Sequence, residues 1–298
     1  MFVEIGIATL GRPGVLSAAL DHLLNQTRLP DRIIICAGRP DEDVDQAHLD
    51  TIRARVPVTV VQGTSRGSSA QRNAIIEHSD ESDILLFLDD DFFPANSFIS
   101  RLHDLFAARP TLVVATGLVL ADGATGPGIE PPDALTTLMQ ITPEVDQNRQ
   151  VMPIYNGYGC NMAVRADLVR KHGVKFDEAL PLYSWLEDVD FSRQLSGFGE
   201  IVQAHGLLGV HLGIKRGRVS GQRFGYAQIA NPIYLARKGT MAPRRAYSQM
   251  TRNILRNFAG AFFPEPWVDR RGRVIGNTRA FFDLIRGRLK PANIITMS

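Results

Sequence analysis

The sequence has only two cysteines and no long apolar run, and these absences exclude several classes of protein. Cys36 and Cys160 have no Cys-x-x-Cys partner, so neither a disulfide framework nor a cysteine metal site is expected, and we interpret both as small buried side chains. The longest apolar segments, such as residues 84–88, fall far short of the ~20 residues of a membrane span. The N-terminus also lacks the basic and apolar regions of a signal peptide. We therefore expect a cytoplasmic protein.

Charge is distributed unevenly along a chain of otherwise ordinary composition. The 298 residues are 44% hydrophobic and 21% charged, as is usual for a soluble α/β fold of one or two domains. Residues 205–298 contain 17 Lys and Arg against 3 Asp and Glu, whereas residues 1–204 contain 16 against 28. A basic C-terminal part suits a partner that carries phosphate, whether a membrane surface, a lipid-linked substrate or a nucleic acid. Composition does not choose among them.

Apolar segments alternate with segments of helical spacing through the first 120 residues. Continuously apolar strands separated by amphipathic helices are typical of a parallel sheet covered on both faces. Ligands in such sheets bind outside the carboxyl ends of the strands. The pattern predicts strands at 2–10, 33–36, 58–63, 84–90 and 111–120, and helices at 14–26, 44–54, 68–78, 96–109, 166–172, 185–199, 226–238 and 277–289.

Three adjacent carboxylates, Asp89, Asp90 and Asp91, follow the apolar strand of residues 84–88. At a strand end they repel one another unless they are solvated, hydrogen-bonded or neutralised by a cation. Mg²⁺ and Mn²⁺ prefer carboxylates together with phosphate oxygens and water. An exposed acidic turn would not need so apolar a strand before it, so the triplet favours a site for a metal ion and a diphosphate.

A second acidic cluster, Glu187, Asp188 and Asp190, lies where the helix of residues 185–199 begins. One of these carboxylates is placed to act as a general base on a hydroxyl group. The alternative is an acidic first turn that only complements the helix dipole.

Two further segments contain polar residues suited to anions or metal ions. Arg66 and Arg72 flank a Gly-Ser junction before a helix, where backbone N–H groups and guanidinium groups bind phosphate; alternatively, Arg72 is a buried ion-pair partner of the carboxylates. His211, more than His205, could complete a metal shell as a neutral imidazole beside a Gly-rich turn. The alternative for both histidines is a structural role.

Taken together, these residues resemble the family 2 glycosyltransferases, over roughly residues 2–240. The resemblance implies the GT-A fold, a Rossmann-like α/β fold with a mixed, mainly parallel sheet and helices on both faces. The resemblance rests on short motifs that occur in the family's order along the chain. They are Thr9, Arg12 and Pro13; Gly67, Gln71, Arg72 and Asn73; Asp89 to Asp91 with Pro94; Gly159, Asn161 and Met162; Trp185, Glu187, Asp188 and Asp190; and His211.

The resemblance implies an inverting transfer of a sugar from a nucleoside-diphosphate sugar to an acceptor hydroxyl, with Mg²⁺ or Mn²⁺ as the cofactor. It implies that Asp188 is the general base, that Asp91 and His211 bind the metal, and that Lys215 and Arg216 close over the phosphates. The donor would contact Thr9, Arg12, Arg66, Arg72, Asp89 and Asp90. The acceptor would be a glycan or a lipid-linked glycan in the synthesis of a bacterial surface polysaccharide or glycolipid.

One departure from the family concerns the carboxylate that normally follows the second strand and contacts the base or the ribose. Ala37 and Gly38 stand where it is expected, and Asp41 and Asp43 are the nearest substitutes. The sequence therefore does not indicate which nucleotide is bound.

We divide the chain into a GT-A domain, residues 1–240, and a basic helical extension, residues 241–298. In the extension Phe281, Phe282, Ile285 and Leu289 are expected to share one helix face, opposite arginines. This arrangement fits an anionic membrane surface beside a polyprenyl-diphosphate acceptor. A helical cap packed on the core, with its arginines in solvent, is the alternative.

Two other function classes compete with glycosyl transfer. A metal-dependent phosphotransferase or phosphatase of the haloacid-dehalogenase type also has Asp-x-Asp after an apolar strand, but on the first strand, whereas Asp89 follows about the fourth. A non-catalytic nucleotide-sugar-binding protein would not need both a metal site and a base. No recognised nucleic-acid-binding motif accompanies the basic residues, so nucleic acid is not expected as a partner. Oligomeric state is not predicted.

Overall fold

The computed structural model describes residues 1–63, 67–215 and 219–297. In these residues nine strands form one sheet in the order β3-β2-β1-β4-β8-β6-β9-β5, with β7 paired to β9. The strands are β1 Val3–Thr9, β2 Arg32–Ala37, β3 Val58–Gln62, β4 Ile84–Asp89, β5 Phe92–Pro94, β6 Leu112–Asp122, β7 Val151–Pro153, β8 Asn161–Arg165 and β9 Glu200–His211.

Most of the sheet is parallel. Strands β1, β2, β3 and β4 pair in parallel, and β6 pairs in parallel with β9. Strand β8 lies antiparallel between β4 and β6, so those two strands also run in the same direction. The predicted mixed, mainly parallel sheet is confirmed.

Helices cover both faces of this sheet, because alternate residues of the central strands point to opposite sides. Ile33 and Ile35 pack in one buried cluster, and Ile34 and Cys36 pack in another. The helices are α1 Pro13–Leu23, α2 Pro40–Asp43, α3 Gln46–Arg53, α4 Ser68–Glu77, α5 Phe98–Ala108, α6 Pro131–Met139, α7 Pro143–Gln147, α8 Ala166–His172, α9 Glu187–Leu195, α10 Gly221–Lys238, α11 Pro243–Gly260 and α12 Arg270–Ile285.

The sequence pattern did not predict strand β9, the longest in the described sheet. The Gly-rich segment before His211 was interpreted as a turn, and this interpretation is wrong: the segment is extended and pairs with β6. Gly209 is required by close packing rather than by a turn. A Cβ atom on Gly209 would lie 2.2 Å from the ring of Phe92. Helices α6 and α11 were also not predicted.

The last three helices form a layer with its own small core. Tyr226, Ile229 and Ile233 of α10 pack with Ala280 of α12 and with residues near the C-terminus. Helices α10 and α12 approach at glycines: a Cβ atom on Gly276 would lie 2.0 Å from the carbonyl oxygen of Gln222. Helix α10, which precedes residue 240, thus packs with the helices that follow it. The domain boundary at residue 240 stays a prediction.

Helix α12 begins seven residues earlier than expected and leaves its large apolar side chains exposed. Phe281, Phe282 and Ile285 are all more than half exposed, whereas Leu289 packs against the small core of this layer. The prediction that Leu289 shares one helix face with these residues is therefore wrong, because α12 ends at Ile285. Among the described helices, none is both long enough and apolar enough to cross a bilayer.

Candidate active site at the carboxyl edge of the sheet

Four parallel strands bring polar side chains to one edge of the sheet. Thr9 ends β1, Asp89 ends β4, Asp122 ends β6 and His211 ends β9. The strand register aligns Asp122 with His211 and places Asp89 beside Ala8 of β1. Residues far apart in the sequence therefore converge where ligands bind in parallel sheets.

Asp89, Asp91 and His211 form a cluster with the composition of a divalent metal site. Each offers one ligand atom, and these atoms lie within 4.8 Å of one another. The Nε2 atom of His211 is 3.4 Å from Asp91 Oδ1 and 3.8 Å from Asp89 Oδ2. Two carboxylates and an imidazole fit Mg²⁺ or Mn²⁺, with further positions left for phosphate oxygens and water.

Asp122 fixes the orientation of the His211 ring. The Nδ1 atom of His211 is 2.9 Å from Asp122 Oδ1, so Nδ1–H donates to that carboxylate and Nε2 is directed at the two aspartates. Tyr158 donates its hydroxyl hydrogen to the other oxygen of Asp122 at 2.9 Å. Metal-binding histidines are commonly held by a carboxylate in this way.

Charge within the cluster is balanced by burial and pairing. Burial alone would lower the pKa of His211, but hydrogen bonds to Asp122 and Asp91 raise it to about 10. Without a metal ion, the surrounding carboxylates favour the protonated ring. The neutral imidazole expected in a metal shell stays a prediction. Burial would raise the pKa of Asp91, but the hydrogen bond and charge of His211 hold it below its usual value.

Asp91 is further held by the backbone and by Arg12. The N–H of Ile214 donates to Asp91 Oδ2 at 2.8 Å, and the N–H of Leu212 donates to the backbone oxygen of Asp91 at 2.9 Å. The guanidinium of Arg12 lies 3.5 Å from the same Oδ2 atom. The carboxylate is thus fixed before any ligand binds.

Asp90 points into the protein rather than along the edge with its neighbours. It is fully buried, accepts a hydrogen bond from the Thr9 hydroxyl at 2.7 Å and pairs with Arg12 at 2.5 Å. Burial raises the pKa of Asp90 to about 7, against the opposing effect of Arg12. The side chains of Thr9 and Asp90 are engaged with each other, and their contact with a donor stays a prediction.

Arg72 connects the metal cluster to the acidic helix α9. Its buried guanidinium contacts Asp89 at 2.9 Å, Glu187 at 2.6 Å and the carbonyl oxygen of Gly159 at 2.9 Å. The ring of Phe176 lies 5.4 Å from the guanidinium carbon. The structure thus shows the ion-pair role that the sequence left open beside donor binding.

Asp188 lies in the first turn of α9, beside this ion-pair network. Gly159, whose carbonyl accepts from Arg72, directs its N–H to Asp188 Oδ2 at 3.3 Å. Burial raises the pKa of Asp188, and the charge of Asp89 acts in the same direction. A raised pKa suits a group that must take up a proton.

The segment before Asp188 adopts unusual backbone angles. Leu182, Ser184 and Leu186 all have positive φ, between 51° and 75°, which L-residues other than Asn and Asp seldom adopt. The carbonyl oxygen of Leu182 accepts from the N–H of Ser68, and the Ser184 hydroxyl accepts from the N–H of Ser69. The first N–H groups of α4 thus donate to this segment and are not available to a phosphate. Our interpretation of those N–H groups as phosphate donors is therefore wrong.

Of the residues expected to contact the nucleotide, two are held by contacts within the protein and two are not described. Asp43 is buried and accepts from the N–H groups of Gly11 and Arg39 at 2.7 Å, so it braces the loop after β1 rather than facing a ligand. Lys215 donates to the carbonyl oxygens of Gly123 and Ala124. Arg66, predicted to bind the donor, and Arg216, which the resemblance places over the phosphates, lie outside the described residues.

Asp122 and Tyr158 were not singled out from the sequence. Asp122 lies just after the predicted strand, in a stretch rich in Gly, Pro and Asp, and its role depends on alignment with β9, which the sequence pattern does not predict. The available indication was its place after the apolar strand of residues 111–120, the same position that drew attention to Asp89.

The sequence matches the model of the glycosyl transferase family 2 over residues 4–173. No curated protein matches it significantly.

Solved structures with this fold are similar at low sequence identity. A mannosyltransferase from Pyrobaculum calidifontis, in complex with GDP-Man and Mn²⁺, superposes with a TM-score of 0.55 at 14% identity, covering 99% of this chain and 85% of that one. S. aureus TarS 1–349 in complex with UDP superposes with a TM-score of 0.53 at 13% identity, covering 79% of this chain and 66% of the TarS fragment. GalNAc-T7 with UDP, GalNAc and Mn²⁺ superposes with a TM-score of 0.53 at 14% identity, covering 71% of this chain and 44% of GalNAc-T7.

This chain thus spans slightly less than two thirds of the TarS fragment and under half of GalNAc-T7. At these identities the structures establish the fold, a mixed and mainly parallel sheet of the GT-A type. The family match extends over more than half of the sequence and includes the acidic triplet. The chain belongs to glycosyl transferase family 2.

Proposed function

We propose that the protein is an inverting glycosyltransferase that moves a sugar from a nucleoside-diphosphate sugar to an acceptor hydroxyl. The observation that carries the proposal is the placement of a metal-type cluster and a candidate base at one edge of the sheet. Asp89 and Glu187 share the guanidinium of Arg72, and the neighbouring Asp188 is bonded to Gly159 of the same network. A metal-bound diphosphate and an attacking hydroxyl need this proximity.

Asp89, Asp91 and His211 would hold Mg²⁺ or Mn²⁺, and their oxygen and nitrogen donors fit such an ion. When bound, the ion would neutralise the charge that develops on the departing nucleoside diphosphate. Arg12 contributes positive charge on the same side, because it pairs with Asp90 and Asp91. Asp122 orients His211 for this role.

Asp188 would act as the general base. Its carboxylate takes the proton of the acceptor hydroxyl as that oxygen attacks the anomeric carbon from the face opposite the nucleotide. A single displacement of this kind inverts the configuration at that carbon. The N–H of Gly159 orients one carboxylate oxygen, and burial raises the pKa of the group toward the range in which a base is effective.

The donor is proposed to be a sugar nucleotide because similar structures hold UDP, UDP-GlcNAc and GDP-Man. Those ligands differ in base and in sugar, and both carboxylate oxygens of Asp43 already accept from backbone N–H groups. The proposal therefore specifies a nucleoside diphosphate and leaves the base open. For the acceptor we propose a glycan or a lipid-linked glycan of a surface polysaccharide or glycolipid.

A thermal-shift and hydrolysis screen of nucleotide sugars, with and without Mn²⁺ or Mg²⁺, tests the proposal without knowledge of the acceptor. We expect at least one sugar nucleotide to raise the Tm in a metal-dependent manner and to be slowly hydrolysed. Trapping of a phosphoaspartate on Asp89 would instead favour a phosphotransferase. Metal-dependent binding with no turnover, even when acceptors are supplied, would favour a non-catalytic binding protein.

A further inference from the structure

We propose that helices α11 and α12, with the segment that joins them, form a docking surface for an anionic lipid bilayer. We call the exposed side chains of residues 243–290 the aromatic–arginine surface. The proposal concerns the helical layer and stands independently of the donor chemistry at the sheet edge.

Large apolar side chains are exposed here in unusual number. Phe258, Phe262 and Phe263 are 59%, 66% and 86% exposed, and Phe258 stacks edge-on against Phe262. On α12, Phe282 and Ile285 are at least half exposed. Exposed apolar groups that gather in one region of a monomer commonly mark an interaction site. The remaining members are Tyr247, Leu255, Trp267, Ile275 and Phe281.

Packing within the described chain does not account for these side chains. The layer already has a core, in which α12 presents Gly276 and Ala280 to α10. Tyr247, Leu255 and Phe258 recur at spacings of eight and three residues, so they share one side of α11, and Phe262 follows just after the helix ends. That side faces away from Ala246 and Asn257, which are buried. The helix is therefore apolar on a side that its own fold does not use.

The charge of this surface identifies the partner. Residues 243–290 contain 11 Lys and Arg against three acidic residues, and nine of the basic residues are exposed. Each acidic side chain is engaged within the layer: Glu265 pairs with Arg270, Asp269 accepts from the N–H of Gly272, and Asp283 accepts from the Tyr226 hydroxyl. The surface thus combines positive charge with aromatic and aliphatic groups.

A bilayer with anionic headgroups complements both features. Basic residues on such a helix are attracted to the negative leaflet, while Phe, Trp, Leu and Ile insert at the boundary of headgroups and acyl chains. A second copy of the chain fits less well, because a symmetric interface would bring the same arginines of both copies together. Leu255, Ile275 and Ile285 also have no use in stacking on nucleic-acid bases.

Sedimentation of the full chain with vesicles tests the proposal. We expect binding to vesicles of phosphatidylcholine with phosphatidylglycerol, and at least tenfold weaker binding to pure phosphatidylcholine. Deleting α12 is a poor test, since that helix packs on α10. The two test variants therefore change only exposed side chains: Phe258→Ser, Phe262→Ser and Phe263→Ser together, and Arg252→Gln, Arg256→Gln and Arg279→Gln together.

Each variant has a matched control elsewhere on the surface. Leu135→Ser with Met139→Ser on α6 removes exposed apolar groups, and Arg39→Gln with Arg53→Gln and Arg55→Gln removes three exposed arginines. We expect the aromatic variant to lose at least tenfold in vesicle binding and the arginine variant on the order of 100-fold at low salt, from about fivefold per arginine. The controls should bind like the original protein.

Two results would overturn the proposal. One is vesicle binding that is absent, or equal in the test and control variants. The other is a dimer, observed by sedimentation velocity, that becomes monomeric in the aromatic variant. This result would assign the surface to a second copy of the chain. Metal-dependent binding of sugar nucleotides is measured on the same samples. A protein that binds the donor and not the vesicles contradicts this proposal alone.

Discussion

The carboxyl edge of the sheet and the C-terminal helical layer use arginine in opposite ways. At the sheet edge Arg72 is 5% exposed and its guanidinium contacts Asp89 and Glu187, so its charge is used within the protein. In the helical layer Arg252, Arg256 and Arg279 are exposed among few acidic residues. Buried paired arginines position a reaction site, whereas exposed arginines beside aromatics are available to an external partner.

The largest effect is expected from Asp188→Asn. This variant keeps the shape of the side chain but removes the base, so sugar transfer should fall by ~10² or more while metal-dependent donor binding is retained. Asp167→Asn makes the same change in the first turn of α8, at the opposite edge of the sheet, and should leave transfer unchanged. The measurement is the turnover rate of each variant with an identified donor and acceptor. Equal turnover in Asp188→Asn and Asp167→Asn would exclude Asp188 as the base.

Arg72→Met should destabilise the protein by about 3 kcal/mol, because it leaves Glu187 buried without its partner, although Asp89 is partly solvated. Arg53→Met removes an exposed arginine paired with Asp50 and should cost less than about 1 kcal/mol. Denaturant unfolding of both variants measures the difference. Similar decreases in the free energy of unfolding would show that the buried ion pairs of Arg72 contribute no more to stability than an exposed pair.

Gly276→Ala is expected to loosen the helical layer without changing the sheet edge. The added Cβ would meet the carbonyl oxygen of Gln222, so α10 and α12 must separate, at a cost of about 2 kcal/mol. Gly14→Ala in α1 adds the same group where no atom lies within 4 Å and should be neutral or slightly stabilising. Thermal unfolding compares the two variants. Loss of donor binding in Gly276→Ala would mean that the two regions are not independent.

The smallest effect is expected from Asp122→Asn. Weakening the hydrogen bond that orients His211 should reduce the affinity for Mn²⁺ by about tenfold with little change in Tm. Asp104→Asn alters an exposed aspartate beside His103 and serves as the control. Titration of Mn²⁺ followed by electron paramagnetic resonance measures both. An unchanged affinity in Asp122→Asn would remove Asp122 from the metal site.

The sequence predicted the alternating part of the fold well and the mixed part poorly. Strands β1 to β4 are continuous apolar runs with a helix after each, so periodicity located them to within a few residues. Strand β9 contains Gly206 and Gly209, which read as a turn, although Gly209 is required for contact with Phe92. Local pattern does not reveal a glycine that serves tertiary packing.

The candidate site shows the same division. Asp89 and Asp91 stand out because carboxylates directly follow an apolar strand, and His211 was proposed without its strand. The inward turn of Asp90 toward Thr9 and the alignment of Asp122 with His211 depend on strand register. Thr9 and Asp90 are 81 positions apart in the sequence, and Asp122 and His211 are 89 apart. No local property of the sequence indicates that strand register brings these pairs together.

The central claim is that the carboxyl edge binds a divalent ion on which a sugar nucleotide is held. The test is a crystal grown with Mn²⁺ and the nucleoside diphosphate of the best donor in the thermal-shift screen, measured at the manganese absorption edge. We expect one strong anomalous peak bounded by Asp89, Asp91 and His211, with diphosphate density beside it and Asp188 on the same side. A peak elsewhere, or no peak at a Mn²⁺ concentration that raises the Tm, would contradict it.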